Sequence, residues 1–367
     1  MVDPVHHSLI NANARLLFIP VSGPRGMGEY ARCVAIAKAV VHRWPTIQVH
    51  FALSRAAPYA AEVPFPSTLF PSSPTFHPRE VAELIRDFQP MIVIFDNAGR
   101  TAQLRAASSA GARIVFLSSR PRQRRKAFRW QWMRLIDEHW IAYPEFIAGA
   151  LTPLEKMKLW ICGRPSPRFI RALLPTASPT TAAAIMDRYG VRANEYVLVI
   201  PGGGTPHPGA ENAPEIVAAA ARRVAKQGYP TILVGSSPSD GNEEPTLRVA
   251  SRLPMEQLCE LIRGARLVVS NGGDTLLQVL ASRRLCVAVP IAGDQAHRIT
   301  CCVNAGVVVA SKLDADSLAM DVLALLENKD MQAKMEGNFD KCDIGNDLEV
   351  FVYSLIALAG KVSRTSQ

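Results

Sequence analysis

The chain has 367 residues, of which 48% are hydrophobic and 20% are charged, so it fits two compact domains and excludes an intrinsically disordered protein. No apolar run reaches the roughly 18 residues that a membrane-spanning helix needs, and we expect no secretory signal in residues 1–15. The seven cysteines contain no CxxC pair, which argues against a disulfide framework or a structural zinc site and favours a reducing cytoplasm.

Short β-branched runs alternate with helical patterns in the first part of the chain. Strands are predicted at residues 15–21, 48–54, 91–96, 113–118 and 139–143, with helices at 29–42, 79–88 and 101–110. Uniformly apolar strands separated by amphipathic helices indicate βα units on a parallel sheet.

The formal net charge of +9 comes entirely from this first part of the chain. Residues 1–164 contain 21 Lys and Arg against 11 Asp and Glu, whereas the remainder contains 20 against 21. The densest basic stretch, residues 120–134, also contains Phe128, Trp130, Trp132 and Met133. Three interpretations stay open. The stretch is a helix whose basic side faces solvent and whose apolar side packs in the core, or it binds an anionic acceptor or the inner face of a membrane, or it binds nucleic acid. No nucleic-acid-binding motif accompanies the stretch, so we expect no nucleic-acid partner.

Residues 165–179 contain four prolines and several Ser and Thr, which predicts a linker. The alternation then restarts, with strands predicted at residues 196–200, 231–235, 247–251, 266–271, 285–290 and 307–310, and helices at 211–227, 255–264, 275–282 and 315–327. A last helix is predicted at 348–359. The pattern predicts an α/β protein with two Rossmann-like domains, residues 1–164 and 180–345, facing each other across a cleft. Residues 346–367 are expected to pack back toward the first domain.

Two candidate residues of the first domain are acidic and lie where a strand gives way to a helix. Glu29 follows a loop containing Gly26 and Gly28, and it is either a helix cap or a general base for an acceptor hydroxyl. Asp96 ends a strand, and it either caps the next helix or positions the acceptor or the base. No acidic residue ends the second strand, so the loop lacks the dinucleotide-binding pattern.

Glycine-rich loops dominate the candidates in the second domain, because bare backbone at a helix N-terminus binds phosphate. The first loop, after the strand at 196–200, contains Gly202, Gly203, Gly204 and Thr205. The second contains Asn271, Gly272, Gly273, Asp274 and Thr275, with Gln278 one turn further on. Asp294 and Gln295 form a further acceptor and donor pair that suits sugar hydroxyls. Helix capping is the alternative for Asp274 and Asp294.

Taken in order, these motifs resemble the GT-B nucleotide-sugar glycosyltransferases. The second half resembles the donor domain of the peptidoglycan N-acetylglucosaminyltransferase and, more loosely, the UDP-glucosyl/glucuronosyltransferases, over about 130 residues that include Gly202-Gly203-Gly204, Gly272-Gly273 and Asp294-Gln295. In the first half, Gly26-x-Gly28-Glu29-x-x-Arg32-Cys33 resembles the opening of the nucleotide-sugar hydrolase of pseudaminic acid synthesis, which shares the fold.

The resemblance implies that the second domain holds the nucleotide diphosphate and the first holds the acceptor. Gly272-Gly273 would bind phosphate, Gln278 the ribose and Asp294-Gln295 the transferred sugar. The backbone around Leu253 would lie against the edge of the nucleotide base. Such enzymes need no bound metal, in agreement with the lack of HxH and HExxH motifs, and the nucleotide-sugar is a co-substrate rather than a cofactor.

Two positions depart from the family pattern: Gln278 replaces a ribose-binding Glu, and Glu29 replaces a His that often serves as the base. We expect a metal-independent, inverting transferase that moves a sugar from a UDP- or dTDP-sugar to a hydroxyl of a small-molecule, lipid-linked or anionic acceptor. The alternatives are a nucleotide-sugar hydrolase and a catalytically inactive nucleotide-binding subunit. A 2-epimerase of the same fold is less favoured, because no clear acid/base set is present.

Overall fold

The computed structural model describes residues 14–24, 27–176, 178–202, 209–235 and 244–365, with side chains as far as 360. It divides the chain into two compact units: Met1–Ile170 together with Asp347–Gln367, and Arg171–Asn346. The change between units therefore falls inside the predicted linker. However, Ser166–Ile170 is a strand of the first sheet rather than linker, and a helix begins at Pro179.

Within its described residues, the first unit is built on a parallel sheet of seven strands. These are β1 (Arg15–Pro20), β2 (Gln48–Ser54), β3 (Ser67–Phe70), β4 (Ile92–Asp96), β5 (Arg113–Ser118), β6 (Glu138–Ala142) and β7 (Ser166–Ile170). Their order across the sheet is β3-β2-β1-β4-β5-β6-β7. β1, β4 and β5 lie in the middle, and their side chains are almost completely buried because helices cover both faces of such a sheet.

Seven helices accompany these strands in the described part of residues 14–170. They are α1 (Gly28–Arg43), α2 (Pro78–Phe88), α3 (Thr101–Ser109), α4 (Pro121–Ala127), α5 (Trp130–Met133), α6 (Glu145–Ala148) and α7 (Pro153–Cys162). The basic-aromatic stretch 120–134 forms α4 and α5. Phe128, Trp132 and Met133 of that stretch are buried at 3%, 1% and 0% exposure, so they belong to the core and not to a lipid-facing or ligand-facing surface.

The second unit repeats the same plan in its described residues. Its strands are β8 (Val197–Ile200), β9 (Thr231–Val234), β10 (Leu247–Ala250), β11 (Leu267–Asn271), β12 (Leu285–Val289) and β13 (Val309–Ala310). Its helices are α8 (Pro179–Tyr189), α9 (Ala213–Lys226), α10 (Met255–Gly264), α11 (Asp274–Ala281), α12 (Gln295–Asn304), α13 (Ala315–Glu327) and α14 (Lys329–Phe339). All strand pairs are parallel, in the order β10-β9-β8-β11-β12-β13.

The final helix, α15 (Leu348–Thr365), belongs to the first unit. Its Phe351 ring packs against Trp140 of β6 at a centroid distance of 3.7 Å, and the Ser354 hydroxyl donates to the Glu138 carboxylate at 2.7 and 2.8 Å.

Both sheets have the doubly wound Rossmann order, in which the fourth strand of the unit lies beside the first. The predicted fold class, an α/β protein with two Rossmann-like domains, is confirmed.

Candidate functional site

Each sheet has one place where the strand order reverses, and ligands of such sheets bind at the carboxyl ends of the strands there. In the first unit this switch point lies between β1 and β4, and in the second between β8 and β11. The predicted residues Glu29 and Asp96 belong to the first switch point, and the loops at Gly202 and at Gly272-Gly273 belong to the second.

Asp96 does not face solvent at the first switch point. It is 0% exposed, and its two carboxylate oxygens accept hydrogen bonds from the Arg32 guanidinium, from Nε at 2.8 Å and from a terminal nitrogen at 2.9 Å. A buried charge needs this pairing, since an unpaired one would be strongly destabilising. Asp96 therefore has a structural role, in which the ion pair fixes α1 to β4, and its catalytic role stays a prediction.

This ion pair also explains part of the first-half motif. Cys33 is fully buried, and its Sγ lies 3.9 Å from Asp96 Oδ2. Burial, helped by the Asp96 charge, raises the pKa of the Cys33 thiol well above its usual range. Arg32 and Cys33 thus serve the packing of α1, and their match to a hydrolase motif says nothing about water as the acceptor.

Glu29 has different surroundings from Asp96. Its side chain is 12% exposed, and Oε1 accepts hydrogen bonds from Asn97 Nδ2 at 2.9 Å and from Arg120 at 3.1 Å. Among the described residues, its other carboxylate oxygen has no hydrogen-bond partner. Glu29 therefore sits in the first turn of α1 with one oxygen held by protein and one available to a ligand. Of the loop before it, Gly28 begins α1 and Gly26 lies outside the described residues.

Asn97 and Ser119, which the sequence did not single out as functional, hold Glu29 in place. Asn97 follows β4 with φ at 52°, a left-handed conformation that asparagine tolerates better than most residues. Its side chain contacts the Ser119 hydroxyl and accepts a hydrogen bond from the Ser119 backbone N–H at 2.9 Å. In the sequence, the Asp96-Asn97 pair at the end of the strand indicated this turn, since Asn is common where the backbone is left-handed.

In the second unit, glycines line the switch point because side chains would collide there. A Cβ on Gly272 would lie 2.8 Å from the Cβ of Gln295, and a Cβ on Gly202, whose φ is +147°, would lie 2.8 Å from Asn271 Nδ2. Asn271 accepts a hydrogen bond from the Gly273 N–H at 2.8 Å, so its side chain shapes the loop. The glycines are thus required by packing, and they leave the backbone at the start of α11 bare.

The N-terminus of α11 has the properties of an anion site. Its N-cap is Gly273, which supplies no side-chain cap, and Asp274 and Thr275 of the first turn are half-buried. The first N–H groups of a helix lack intrahelical partners and carry the positive end of the helix dipole. This end can bind a phosphate group through backbone N–H groups and the Thr275 hydroxyl.

Gln278, predicted to bind ribose, is 6% exposed and points into the second unit. Its Nε2 donates to the Leu173 carbonyl at 3.3 Å and contacts Met255 Sδ at 3.4 Å. Its Oε1 is buried without a hydrogen-bond partner among the described residues. A buried amide oxygen without a donor is uncommon in folded proteins, and a ligand hydroxyl is one way to satisfy it.

The predicted pair Asp294-Gln295 has one exposed and one buried member. Gln295 is 6% exposed, and its Oε1 accepts a hydrogen bond from the Ile291 N–H at 2.9 Å, which stabilises the turn before α12. Asp294 is 71% exposed and lies 3.3 Å from Arg298. The Ile291 backbone N–H thus occupies Oε1 of Gln295, and the donation of the Gln295 amide N–H to a sugar stays a prediction.

Arg298 is a residue of this site that the sequence did not mark. It is 5% exposed, and its guanidinium donates to the Gly272 carbonyl. This contact ties α12 to the loop that precedes α11 and so fixes the direction of that loop.

The remaining predicted residues of the second unit are Leu253 and three residues of the first glycine-rich loop. Leu253 is partly exposed immediately before α10, whereas Gly203, Gly204 and Thr205 lie outside the described residues. Within the described part of the chain, no three His, Cys, Asp or Glu side chains form a group that could hold a metal ion. None of the helices described there is both long enough and apolar enough to cross a membrane.

Comparison with known proteins shows similarity in fold. No protein-family model matches, and no curated protein sequence matches. The solved glycosyltransferase VinC, in complex with dTDP, has 13% identity and a TM-score of 0.65 over 95% of this chain and 100% of its own. Arabidopsis thaliana UGT89C1, complexed with quercetin, has 14% identity and a TM-score of 0.62 over 94% of this chain and 99% of its own.

A third solved structure has the same fold under a different enzyme name. It is a putative UDP-N-acetylglucosamine 2-epimerase from Listeria monocytogenes, with 13% identity and a TM-score of 0.58 over 96% of this chain and 97% of its own. The chain therefore has the GT-B fold that the sequence motifs predicted. Because the fold carries both transfer and epimerisation, the reaction has to be argued from the site.

Proposed function

We propose that the protein is a glycosyltransferase that moves a sugar from a UDP- or dTDP-sugar to an acceptor hydroxyl. One observation carries the proposal: the second switch point has a helix N-terminus without a side-chain cap, and the first holds a partly exposed carboxylate, Glu29, with one oxygen directed by Asn97. The solved proteins with this fold include the glycosyltransferase VinC in complex with dTDP and the protein LpCGTa in complex with UDP.

In the proposed reaction the second unit binds the donor and the first binds the acceptor. Glu29 removes the proton from the acceptor hydroxyl, and the resulting oxygen forms a bond to the anomeric carbon. The bond between that carbon and the diphosphate oxygen breaks, and the leaving diphosphate keeps the electron pair. Backbone N–H groups at the start of α11 stabilise its charge. Direct displacement inverts the anomeric configuration.

Metal independence belongs to the same proposal. The N-terminus of α11 supplies the positive charge that a divalent cation supplies to diphosphates in other enzymes. We therefore expect turnover to be unchanged in the presence of EDTA. Loss of activity with EDTA, restored by Mg²⁺ or Mn²⁺, would contradict this part of the proposal.

The first experiment is a panel of UDP, dTDP and GDP and their sugars, without acceptor. We expect UDP or dTDP at saturation to raise the unfolding temperature by about 5 °C or more, with at most slow release of nucleoside diphosphate. Rapid release of free sugar would instead identify a hydrolase, and conversion of the sugar to its C2 epimer would identify an epimerase. No stabilisation by any nucleotide would overturn the donor site.

A pair of threonine variants locates the site. Thr275→Val removes the hydroxyl in the first turn of α11 and should weaken nucleotide binding by about tenfold or more, because hydrogen bonds to charged groups are strong. Thr300→Val makes the same change on the exposed side of α12, where the hydroxyl donates to the Ala296 carbonyl at 2.9 Å. It should bind nucleotide as the unmodified protein does. Equal binding by both variants would place the diphosphate elsewhere.

A further inference from the structure

Helix α7 has an apolar face that points outward. Leu154, Met157, Trp160 and Ile161 are 56%, 47%, 85% and 57% exposed. At 100° per residue these four positions share one side of the helix. Such a distribution is the reverse of an ordinary surface helix, whose exposed side is polar.

Trp130 extends this face. It is 40% exposed, and Lys158 of α7 lies over its ring, with Nζ 5.9 Å from the ring centroid. The same Nζ donates to the Phe128 carbonyl at 3.1 Å, which fixes α7 beside the segment that contains Trp130. We call the five residues Trp130, Leu154, Met157, Trp160 and Ile161 the α7 patch.

The inward side of α7 is held by hydrogen bonds and an ion pair. The exposure of its apolar side chains is therefore not caused by partial unfolding of the helix. Thr152 and Glu155 form a capping box at its N-terminus. The Glu155 carboxylate is paired with Arg124 at 2.8 and 3.1 Å, and Arg124 also donates to the carbonyls of Ala148, Gly149 and Ala150. These bonds satisfy the polar groups beneath the helix and leave the apolar side chains outside.

The part of the chain that carries the α7 patch is rich in positive charge. Residues 120–168 contain 11 Lys and Arg against four Asp and Glu, which is most of the formal net charge of +9. Three of those four acids are paired within the first unit: Asp137 with Arg113 and Arg164, Glu155 with Arg124, and Glu138 with Ser354. Arg129 and Arg134, which flank α5, and Lys156 of α7 are exposed basic side chains on the segments that carry the patch, and Arg122 and Arg125 are exposed on α4.

We propose that the α7 patch docks on an anionic lipid surface. Tryptophan and aliphatic side chains enter the boundary between headgroups and acyl chains, while nearby Lys and Arg are attracted to the negative surface. A second copy of this chain is a poorer occupant, because its own patch carries the same positive surroundings and would repel it. The contact is interfacial and leaves the helix on the surface of the bilayer.

The test uses the full chain and vesicles of phosphatidylcholine with or without phosphatidylglycerol. We expect co-sedimentation with the anionic vesicles, little with the neutral ones, and weaker binding as salt concentration rises. The double variant Met157→Glu and Trp160→Glu should reduce the partition coefficient by about tenfold or more. Both side chains are exposed, so thermal unfolding of the variant should match that of the unmodified protein.

A matched control carries an added glutamate on the other unit. Met320 on α13 is 69% exposed, and Met320→Glu should leave vesicle binding unchanged. The proposal is overturned if the unmodified protein ignores anionic vesicles, or if the control loses binding as the double variant does. It is also overturned if sedimentation shows a dimer that the double variant dissociates, since a second copy would then occupy the patch.

Discussion

Glu29 and Asp96 lie at the same end of the first sheet, but their partners give them different chemistry. Asp96 is fully buried, and both of its oxygens are taken by Arg32, so it cannot receive a proton from a substrate without breaking an ion pair. Glu29 is partly exposed, and its described hydrogen bonds all end on Oε1. Of the two carboxylates, Glu29 is therefore the one that we propose as the base.

Glu29→Gln therefore tests the base. The amide keeps the shape of the side chain and can still accept from Asn97, but it cannot take up a proton. We expect the turnover number to fall by about 100-fold or more, as for removal of a general base, while nucleotide binding stays unchanged. Glu62→Gln, an exposed change in the same unit, should leave turnover unaltered. Normal turnover of Glu29→Gln would assign the base elsewhere.

His139 is a buried histidine whose effect is on stability. Nε2 lies 2.8 Å from the Ser118 hydroxyl, and the rings of Phe116 and Phe128 flank the imidazole. Burial, with a smaller contribution from the Arg124 cation, lowers the pKa of His139 to about 3. Below pH 6.5 the imidazole binds a proton in the unfolded chain but stays neutral in the native state. Proton binding therefore favours the unfolded state, and the free energy of unfolding decreases as the pH falls toward 3.

This linkage predicts a loss of about 3 kcal/mol in the free energy of unfolding of the first unit between about pH 7 and pH 4. His139→Gln removes the titration and should flatten this part of the pH dependence, measured by urea unfolding at several pH values. His42→Gln, an exposed change, should keep the slope of the unmodified protein. Identical slopes for His139→Gln and the unmodified protein would show that burial does not lower the pKa of His139.

At the scale of single elements, the strands in the middle of the sheets were the most predictable. The segments β1, β4 and β5 contain continuous apolar runs, because helices cover both faces of a parallel sheet. The two strands that the sequence did not reveal, β3 and β7, both lie at the edges of the first sheet. β7 contains Pro167, which an edge strand tolerates because one side of its backbone needs no partner.

The loop before α11 was recognised from its sequence, but the reason for its glycines was not. Its Gly272-Gly273 pair suggested phosphate binding, whereas the structure adds a packing requirement from α12. Likewise, Gln295 could not be identified as a structural residue from the sequence, because its partner is the backbone N–H of Ile291 in a turn that only the folded chain forms.

Gly272→Ala measures this packing requirement. The added Cβ would lie 2.8 Å from the Gln295 Cβ, 2.9 Å from the Gln295 carbonyl oxygen and 3.0 Å from Ile299 Cγ1. α12 would have to move, at a cost of about 1–3 kcal/mol in the free energy of unfolding of the second unit. Gly293→Ala is the control, since a Cβ there meets no atom within 4 Å. Equal stability of the two variants in urea unfolding would contradict the packing argument.

At the scale of the whole molecule, the repeated alternation of strands and helices predicted two Rossmann-like units, and the strand orders agree with that prediction. The limits of the units were less accessible. The sequence placed residues 165–170 in a linker, whereas Ser166–Ile170 pairs with β6 in the first sheet. Proline and serine content describes the local preference of the chain, while membership of a sheet depends on contacts with distant residues.

The contribution of α15 to the stability of the first unit can be measured separately from the stability of the second unit. All five tryptophans belong to the first unit, at positions 44, 130, 132, 140 and 160, so tryptophan fluorescence reports its unfolding. Phe351 is 0% exposed, and its ring packs against Trp140. Phe351→Ala should reduce the free energy of unfolding by about 3–5 kcal/mol when urea unfolding is followed by tryptophan fluorescence.

The neighbouring Val350 is 45% exposed, and Val350→Ala should change the same value by less than about 0.5 kcal/mol. Nucleotide binding, proposed for the second unit, should survive Phe351→Ala wherever that unit remains folded. If Phe351→Ala did not shift the midpoint of the fluorescence transition, α15 would not stabilise the first unit, and other elements would be responsible for the burial of Trp140. If the variant lowered nucleotide affinity in native buffer as well, the two units would be coupled in stability, because a side chain of one would then support the ligand site of the other.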